Sequence, residues 1–471
     1  MTKSAIVLAA GHGTRMKSQT HKVLHPVCGK PMIHHILDTL EELGVDQTIV
    51  VVGQQREKVI EAVGSRADIA IQEEQKGTGD AVKAALPKLR SDVDTVVVLY
   101  GDAPLIQAKT IEGLFKMKDS EQADAVILTA DVQDPTGLGR VFLNHQGHVA
   151  RIVEEKDATP EERANHVINT GVYAYDRAAL RMSVEELKND NAQGEYYLTD
   201  TLAIIGDKGG KVVPLQVENP HEIASVNDRL QLSQVEALAR QMILQKWMRD
   251  GVTIVDPGNT YIEASVRLSP DVTLLPGTIL AGETHVASFA TIGPNTRLVD
   301  TVVRERAVVQ YTVSVESEIG EEAQVGPFAY LRPGTKVGAR CKVGDFVELK
   351  NTVLGDDTKV SHLAYVGDAE IGRDVNIGCG VVTVNYDGEK KHRTVVGDGS
   401  FIGSNANLIA PLTIGEGVYV CAGSTVTEDA ADDAFVIART PQTTKPNYVR
   451  AWKARRAGNQ PTVKGGEAGG H

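Results

Sequence analysis

IEASVR LSPDVT LLPGTI LAGETH VASFAT IGPNTR L, residues 262–298, decides the fold of the second half. Cut every sixth residue, each block opens on an aliphatic side chain: Ile262, Leu268, Leu274, Leu280, Val286, Ile292 and Leu298. After a slip the series resumes at Val313, Ile319, Val325, Leu331, Val337, Val343 and Leu349. A second slip leads to Leu354, Val360, Val366, Ile371 and Ile377, and a last run holds Val396, Ile402, Leu408, Ile414, Val420 and Val426. A helical period of 3.6 cannot sustain that interval. Six residues supply one short strand and one corner. Three such blocks close a coil, and coils stack like strands at ~4.8 Å. Gly directly after the aliphatic residue, as in Ile319-Gly320 and Ile402-Gly403, leaves the corner free of a Cβ. The pattern predicts a parallel β-helix over 251–440 with these aliphatic side chains pointing inward. It breaks at TVNYDGEKKHRTV, 383–395, and a loop pushed out of a regular solenoid is a common place for function. Repetition by itself is equally compatible with a structural stalk.

Composition agrees with an aliphatic, repetitive architecture: aromatic residues are only 4% of the 471, and glycines number 45. A net charge of -13 argues against a nucleic-acid binder, so phosphate-handling cations must be placed locally. No apolar run approaches the ~20 residues of a membrane helix. The run Ala5 to Ala10 is too short for a signal peptide and reads as a buried strand. Four scattered cysteines with no CxxC pair argue against a zinc site and for a reducing compartment, hence a cytoplasmic protein.

In the first half, SAIVLA (4–9), TIVVV (48–52) and TVVVLY (95–100) alternate with helical stretches such as MIHHILDTLEEL (32–43). That alternation predicts an α/β domain over 1–226, with a mostly parallel, Rossmann-like sheet covered on both faces. Residues 227–250 read as a linking amphipathic helix with Val235, Leu238, Ala239, Met242 and Ile243 on one face and Gly251 as its stop. The 441–471 tail is basic, and its end, KGGEAGGH, is expected to be disordered.

The first strand runs into LAAGHGTRM, residues 8–16. Glycines there let backbone N–H groups approach phosphate oxygens, and Arg15 and Lys22 add fixed positive charge. The loop is not a Walker A, lacking Gly-Lys-Ser/Thr, and not a dinucleotide fingerprint, since Met16 stands at the third glycine. A second strand ends on Asp102, at the edge where open α/β sheets bind ligands. Alone, Asp102 reads as a turn residue. With phosphates nearby it suits Mg²⁺, and Asn227 offers a second oxygen or a helix cap. His362, two positions after Val360, falls at a coil corner. From the residues alone it is either a solvated surface histidine or a base working near neutrality.

LAAGHGTRM, Lys22, QEEQKGTGDA, YGDAPL, TGLGR, IVEEKDA, INTGVYAY and VNDRLQL resemble, in order, the motifs of the bifunctional N-acetylglucosamine-1-phosphate uridyltransferases and glucosamine-1-phosphate N-acetyltransferases. SHLAYVGDAEIGRDVNIGCG followed by VNYDGEKKH is similar to their acetyltransferase motif, so the likeness spans nearly the whole chain except the last ~25 residues, a length typical of a disordered tail. It implies a left-handed β-helix after a nucleotidyltransferase domain. Leu8, Ala9, Ala10, Gly11, Tyr100 and Gly101 would frame the nucleotide. Gln72, Gly77 and Thr78 would hold uracil, and Gly139, Glu154 and Asn169 the sugar. Asp102 and Asn227 would ligate Mg²⁺, with Arg15 and Lys22 catalytic. In the second site His362 would be the general base. Arg332, Lys350, Tyr365 and Asn376 would bind glucosamine phosphate, with Lys391 nearby and counted among the acetyl-CoA residues. Cys379, Asn385, Tyr386, Ser404, Ala422 and Arg439 would meet acetyl-CoA, Cys379 standing where the family usually carries Ala.

The resemblance further implies acetyl transfer from acetyl-CoA to glucosamine-1-phosphate, then uridylyl transfer from UTP to N-acetylglucosamine-1-phosphate. The product would feed bacterial envelope polysaccharides, and the chain would assemble as a homotrimer without nucleic-acid or membrane partners. The competing expectation is a single-activity sugar-nucleotide pyrophosphorylase on a structural β-helix.

Overall fold

The computed structural model describes residues 2–11, 13–191 and 193–458, which fall into two compact units parting after Glu322. The first unit holds a nine-stranded sheet: β1 (Lys3–Ala9), β2 (Gln47–Val52), β3 (Asp68–Ile71), β4 (Thr95–Tyr100), β5 (Ala125–Asp131), β6 (Arg140–Leu143), β7 (Val149–Val153), β8 (Val167–Asp176) and β9 (Val212–Gln216). The order is β9-β5-β8-β4-β1-β2-β3, with β6 pairing to both β8 and β7. The sheet is mostly parallel as expected, and β8 runs antiparallel to β4 and β5.

Near-continuous hydrophobicity in the central strands has a direct cause. Val7, Val50 and Leu99 face one helix layer, while Ile6, Ile49 and Val98 face the other. Because β1 lies between β2 and β4, the chain leaves it on one side and returns on the other. The cleft this opens at the carboxyl ends of β1 and β4 is where such sheets bind ligands.

The long helix, Arg229–Arg249, starts on Asp228, whose carboxylate accepts from Gln231 N at 2.8 Å. Asn227 therefore does not cap it, and its side chain is free to face the cleft. Val235 and Ala239, with Leu232, Leu238, Met242 and Ile243, pack on Met16, Val27, Cys28, Met32 and Leu105. The expected linker is thus docked on the α/β layers. It stops at Gly251, whose φ of +95° a side chain would resist.

Short strands then stack in three columns. In the first unit the inward positions run Ile254–Leu274–Ile292–Val309, Leu268–Val286–Val303–Ile319 and Ile262–Leu280–Leu298–Ser314. The last column corrects one expectation: Val313 points outward and Ser314 inward. The block that opens on Ser314 has five residues before Ile319 instead of six, so counting six back from Ile319 lands one place early. The buried Ser314 hydroxyl is satisfied by Thr301 Oγ1 at 3.1 Å.

The second unit repeats the architecture, with Val325–Val343–Val360–Ile377–Ile402–Val420 as one parallel column. The solenoid break is narrower than the sequence suggested. Thr383 and Thr394 are buried strand residues, so the extruded segment is 385–393. Past Arg439, Tyr448–Arg456 forms a helix with no buried residue. The KGGEAGGH end lies outside the described residues. Among the described residues no helix is long and apolar enough to cross a membrane.

Candidate active sites

The ends of β1 and β4 build the first site. Leu8, Ala9, Ala10 and Gly11 line a cleft of about 370 Å³ together with Lys22, Gln72, Gly77, Thr78, Tyr100, Asp102 and Asn227. A second cleft of about 340 Å³ is lined by Gly139, Glu154 and Asn169 and again by Tyr100, Asp102 and Asn227. The two hollows expected for nucleotide and sugar therefore share the same three residues.

Lys22 holds that shared edge. Its ammonium pairs with Asp102 and lies 3.2 Å from Asn227 Oδ1, while Arg15 Nη2 donates to the same oxygen at 3.0 Å. One cation thus already bridges the Asp102 and Asn227 oxygens, so the pair is spaced to share one. A carboxylate and an amide oxygen suit Mg²⁺, which takes few protein ligands beside phosphates and water. Among the described residues no cluster of three or more His, Cys, Asp or Glu offers a metal site.

Backbone needs explain the glycines. Gly77 has φ +113°, and a Cβ there would fall 2.5 Å from the Tyr196 carbonyl oxygen. It sets the entry to the helix Thr78–Ala85. Buried Gln72 is oriented by donating to Gly77 O at 3.1 Å and Asp80 Oδ2 at 2.8 Å. Thr78 Oγ1 accepts from Leu198 N at 3.0 Å. In the sugar cleft Asn169 Oδ1 accepts from Gly171 N at 2.9 Å and Tyr173 Oη at 3.1 Å, leaving its amide NH₂ to donate. Burial pushes the Glu154 carboxyl above its usual range, reinforced by Asp157 and Asp200. Gln75, which sequence reasoning passed over, donates to the Ala10 carbonyl and lines the nucleotide cleft. Its position three residues into QEEQKGTGDA was the available signal.

The second site lies on the later coils. His362 ends the strand Lys359–His362, and Tyr365 opens the next, Tyr365–Ile371, so the two flank one corner. Beyond the Val360–Ile377 pair the coil above brings Cys379 over His362, since Gly380 N bonds Leu363 O at 2.8 Å. Ser404 and Ala422 follow in the same column, because Asn405 N bonds Cys379 O and Gly423 N bonds Ser404 O. Cys379, Ser404 and Ala422 are exposed, and Arg439 lies beside Gly423. Asn376 sits between Lys359 and Phe401 in the same sheet.

Around the corner, Arg332 and Lys350 are neighbours one coil apart. Arg332 pairs with Glu348 at 2.8 Å, and Lys350 Nζ lies 3.5 Å from Asp368. Lys350 and Lys391 face each other, and the Lys350 ammonium holds Lys391 below the usual lysine range. Two cations held together with Arg332 nearby form a ready anion site. Asn385 bonds Asp368 and reaches Tyr365 Oη at 3.4 Å. The gap is opened by Gly367, where a Cβ would fall 2.4 Å from the Tyr365 hydroxyl.

The 385–393 loop is clasped by Asp387, a residue not anticipated, which accepts from Glu389 N, Lys390 N and His392 Nε2. Those bonds hold its carboxyl far below the usual range. Tyr386 stands exposed at the loop edge.

Comparison with known proteins matches this division. Residues 5–201 match the MobA-like NTP transferase domain, and 316–351 and 393–428 match the bacterial transferase hexapeptide (six repeats). Bifunctional protein GlmU of Brevibacillus brevis is 50% identical over 445 residues, 94% of this chain and 96% of the relative. GlmU of Shouchella clausii is 48% identical over 95% of this chain and 98% of its own length, and that of Geobacillus thermodenitrificans 47% over 94% and 97%. With that identity along nearly the whole length, and a nucleotidyltransferase domain joined to hexapeptide coils, the chain belongs to the GlmU family of bifunctional enzymes, which unite N-acetylglucosamine-1-phosphate uridyltransferase and glucosamine-1-phosphate N-acetyltransferase activities.

Proposed function

We propose that residues 1–226, together with Asn227 at the start of the linking segment, carry out uridylyl transfer around Asp102, Lys22 and Arg15, and that the coils within 251–440 carry out acetyl transfer on His362. The observation that carries the first assignment is the meeting of two clefts on Asp102 and Asn227. Mg²⁺ bound by these two oxygens would neutralise charge on the triphosphate. Gln72, Gly77 and Thr78 hold the uracil, while Gly139, Glu154 and Asn169 place the sugar. A phosphate oxygen of N-acetylglucosamine-1-phosphate attacks the α-phosphorus of UTP, the bond to the β-phosphate oxygen breaks, and pyrophosphate leaves. The nucleophile is already anionic, so no protein base is needed. Arg15, Lys22 and the 8–11 backbone position and stabilise the charge.

In the second site Arg332, Lys350 and Lys391 clamp the sugar phosphate, with Tyr365 and Asn376 beside them. Cys379, Asn385, Tyr386, Ser404, Ala422 and Arg439 accommodate acetyl-CoA. His362 accepts the proton that the attacking amine must lose. The acetylated product is the acceptor for the first site. The chain works in the cytoplasm, and as a homotrimer; the column of exposed Phe328, Phe346 and Leu363 beside His362 supports the assembly.

The test compares wild type with His362→Ala. CoA release from acetyl-CoA and glucosamine-1-phosphate should fall by about 10²–10⁴-fold. Pyrophosphate release from UTP and N-acetylglucosamine-1-phosphate should persist. Wild type releasing no CoA would leave a uridyltransferase on a structural solenoid.

A further inference from the structure

Among the described residues one side chain bonds the His362 ring, and it is absent from every role assigned above. Asp345 Oδ1 lies 2.7 Å from His362 Nδ1. Register builds this contact. The strands Lys342–Asp345 and Lys359–His362 pair in parallel with Asp345 opposite His362, and Leu363 N bonds the Asp345 carbonyl at 2.8 Å. Gly344 lets the two strands close, since a Cβ there would fall 1.9 Å from the Ser361 carbonyl oxygen.

We infer that Asp345 is the positioning residue of the acetyltransferase: its carboxylate accepts a hydrogen bond from the Nδ1–H of His362 and so leaves Nε2 as the basic nitrogen. The inference rests on His362 being the base. A neutral imidazole carries one proton, and an acceptor fixed on Nδ1 decides which nitrogen keeps it. As the amine attacks the thioester carbonyl, its proton passes to Nε2. The C–S bond then breaks, and the CoA thiolate takes that proton back. While the ring is charged, the Asp345 carboxylate stabilises it. The His362 hydrogen bond holds Asp345 below the usual carboxylate range, so it is ionised at neutral pH.

The side chains are 62% and 41% exposed, so the pair adds little to fold stability. Its consequence is tautomer and basicity. The other titratable groups on the paired strands are Lys342 and Lys359, three residues back from Asp345 and His362. The Cys379 thiol stands on the coil beyond.

The experiment measures CoA release by the full-length enzyme across pH for wild type, Asp345→Ala, Asp345→Asn and His362→Ala. Asp345→Ala should lower the plateau rate by about tenfold, a fraction of the full effect of a general base. Asp345→Asn can turn either its oxygen or its NH₂ to Nδ1 and no longer fixes the tautomer, so it should lower the plateau rate at least as far as Asp345→Ala. In both, loss of the carboxylate should move the acid limb to lower pH, by up to about one unit. KM for glucosamine-1-phosphate and pyrophosphate release should not change. A merely structural role would leave the acid limb in place. If His362→Ala kills CoA release while both Asp345 variants keep the wild-type plateau and acid limb, this inference falls alone. If His362→Ala retains CoA release, the assignment of the base falls and this inference with it.

Discussion

The two sites of this chain are assembled by opposite means. The first draws Arg15, Lys22, Gln72, Asp102, Glu154 and Asn227 from distant segments, and a single ammonium holds the Asp102 and Asn227 oxygens together across 80 and 205 positions. The second is laid out by register, with Asp345, His362 and Cys379 following one another at 17-residue intervals up one column. A site tied together by one ion pair is sensitive to loss of one side chain. A site printed on stacked backbone is robust in placement and sensitive to what its surface meets.

The sharpest test of that contrast is Lys22→Ala. It removes the charge proposed to act on the triphosphate and unties Asp102 from Asn227, so pyrophosphate release should fall on the order of 10²–10³-fold. CoA release should remain. Loss of both activities would mean that the sites are not separable in this way.

Next in size is a surface change at the second site. Phe346 is 59% exposed and stacks on Phe328 with ring centroids 5.4 Å apart. If this column is buried in the homotrimer, Phe346→Glu should weaken assembly by roughly 2 kcal/mol or more. Light scattering would then report smaller species, with CoA release reduced and pyrophosphate release kept. A wild-type chain that is monomeric in the same measurement overturns the trimer.

The smallest effect concerns the thiols. Cys379 is exposed in the column above His362, while Cys28, Cys341 and Cys421 are buried, and burial pushes Cys341 up to about 11. Brief alkylation should therefore slow CoA release and spare pyrophosphate release, and Cys379→Ala should protect. Equal loss of both activities, or no protection, would remove Cys379 from the acetyl-CoA surface.

Sequence by itself determined the solenoid and most of its column order, because a six-residue interval admits one inward side chain per block whatever packs outside. It also determined the strand cores, where apolar residues on both faces exclude solvent on both. Its resemblance to a family supplied nearly all the candidate site residues, and the structure gathers most of them into two places. Where the interval changed to five, arithmetic failed: Val313 was assigned the inward place that Ser314 occupies, since a polar residue paired to Thr301 carries no hydrophobic signal.

Only the tertiary structure decided the rest. It put the helix cap on Asp228 and released Asn227 to the cleft, a choice between adjacent residues of equal capping ability. It docked the 229–249 helix on the first domain. It set Asp345 against His362, a contact between strands one coil apart that exists only because two parallel backbones fell into register.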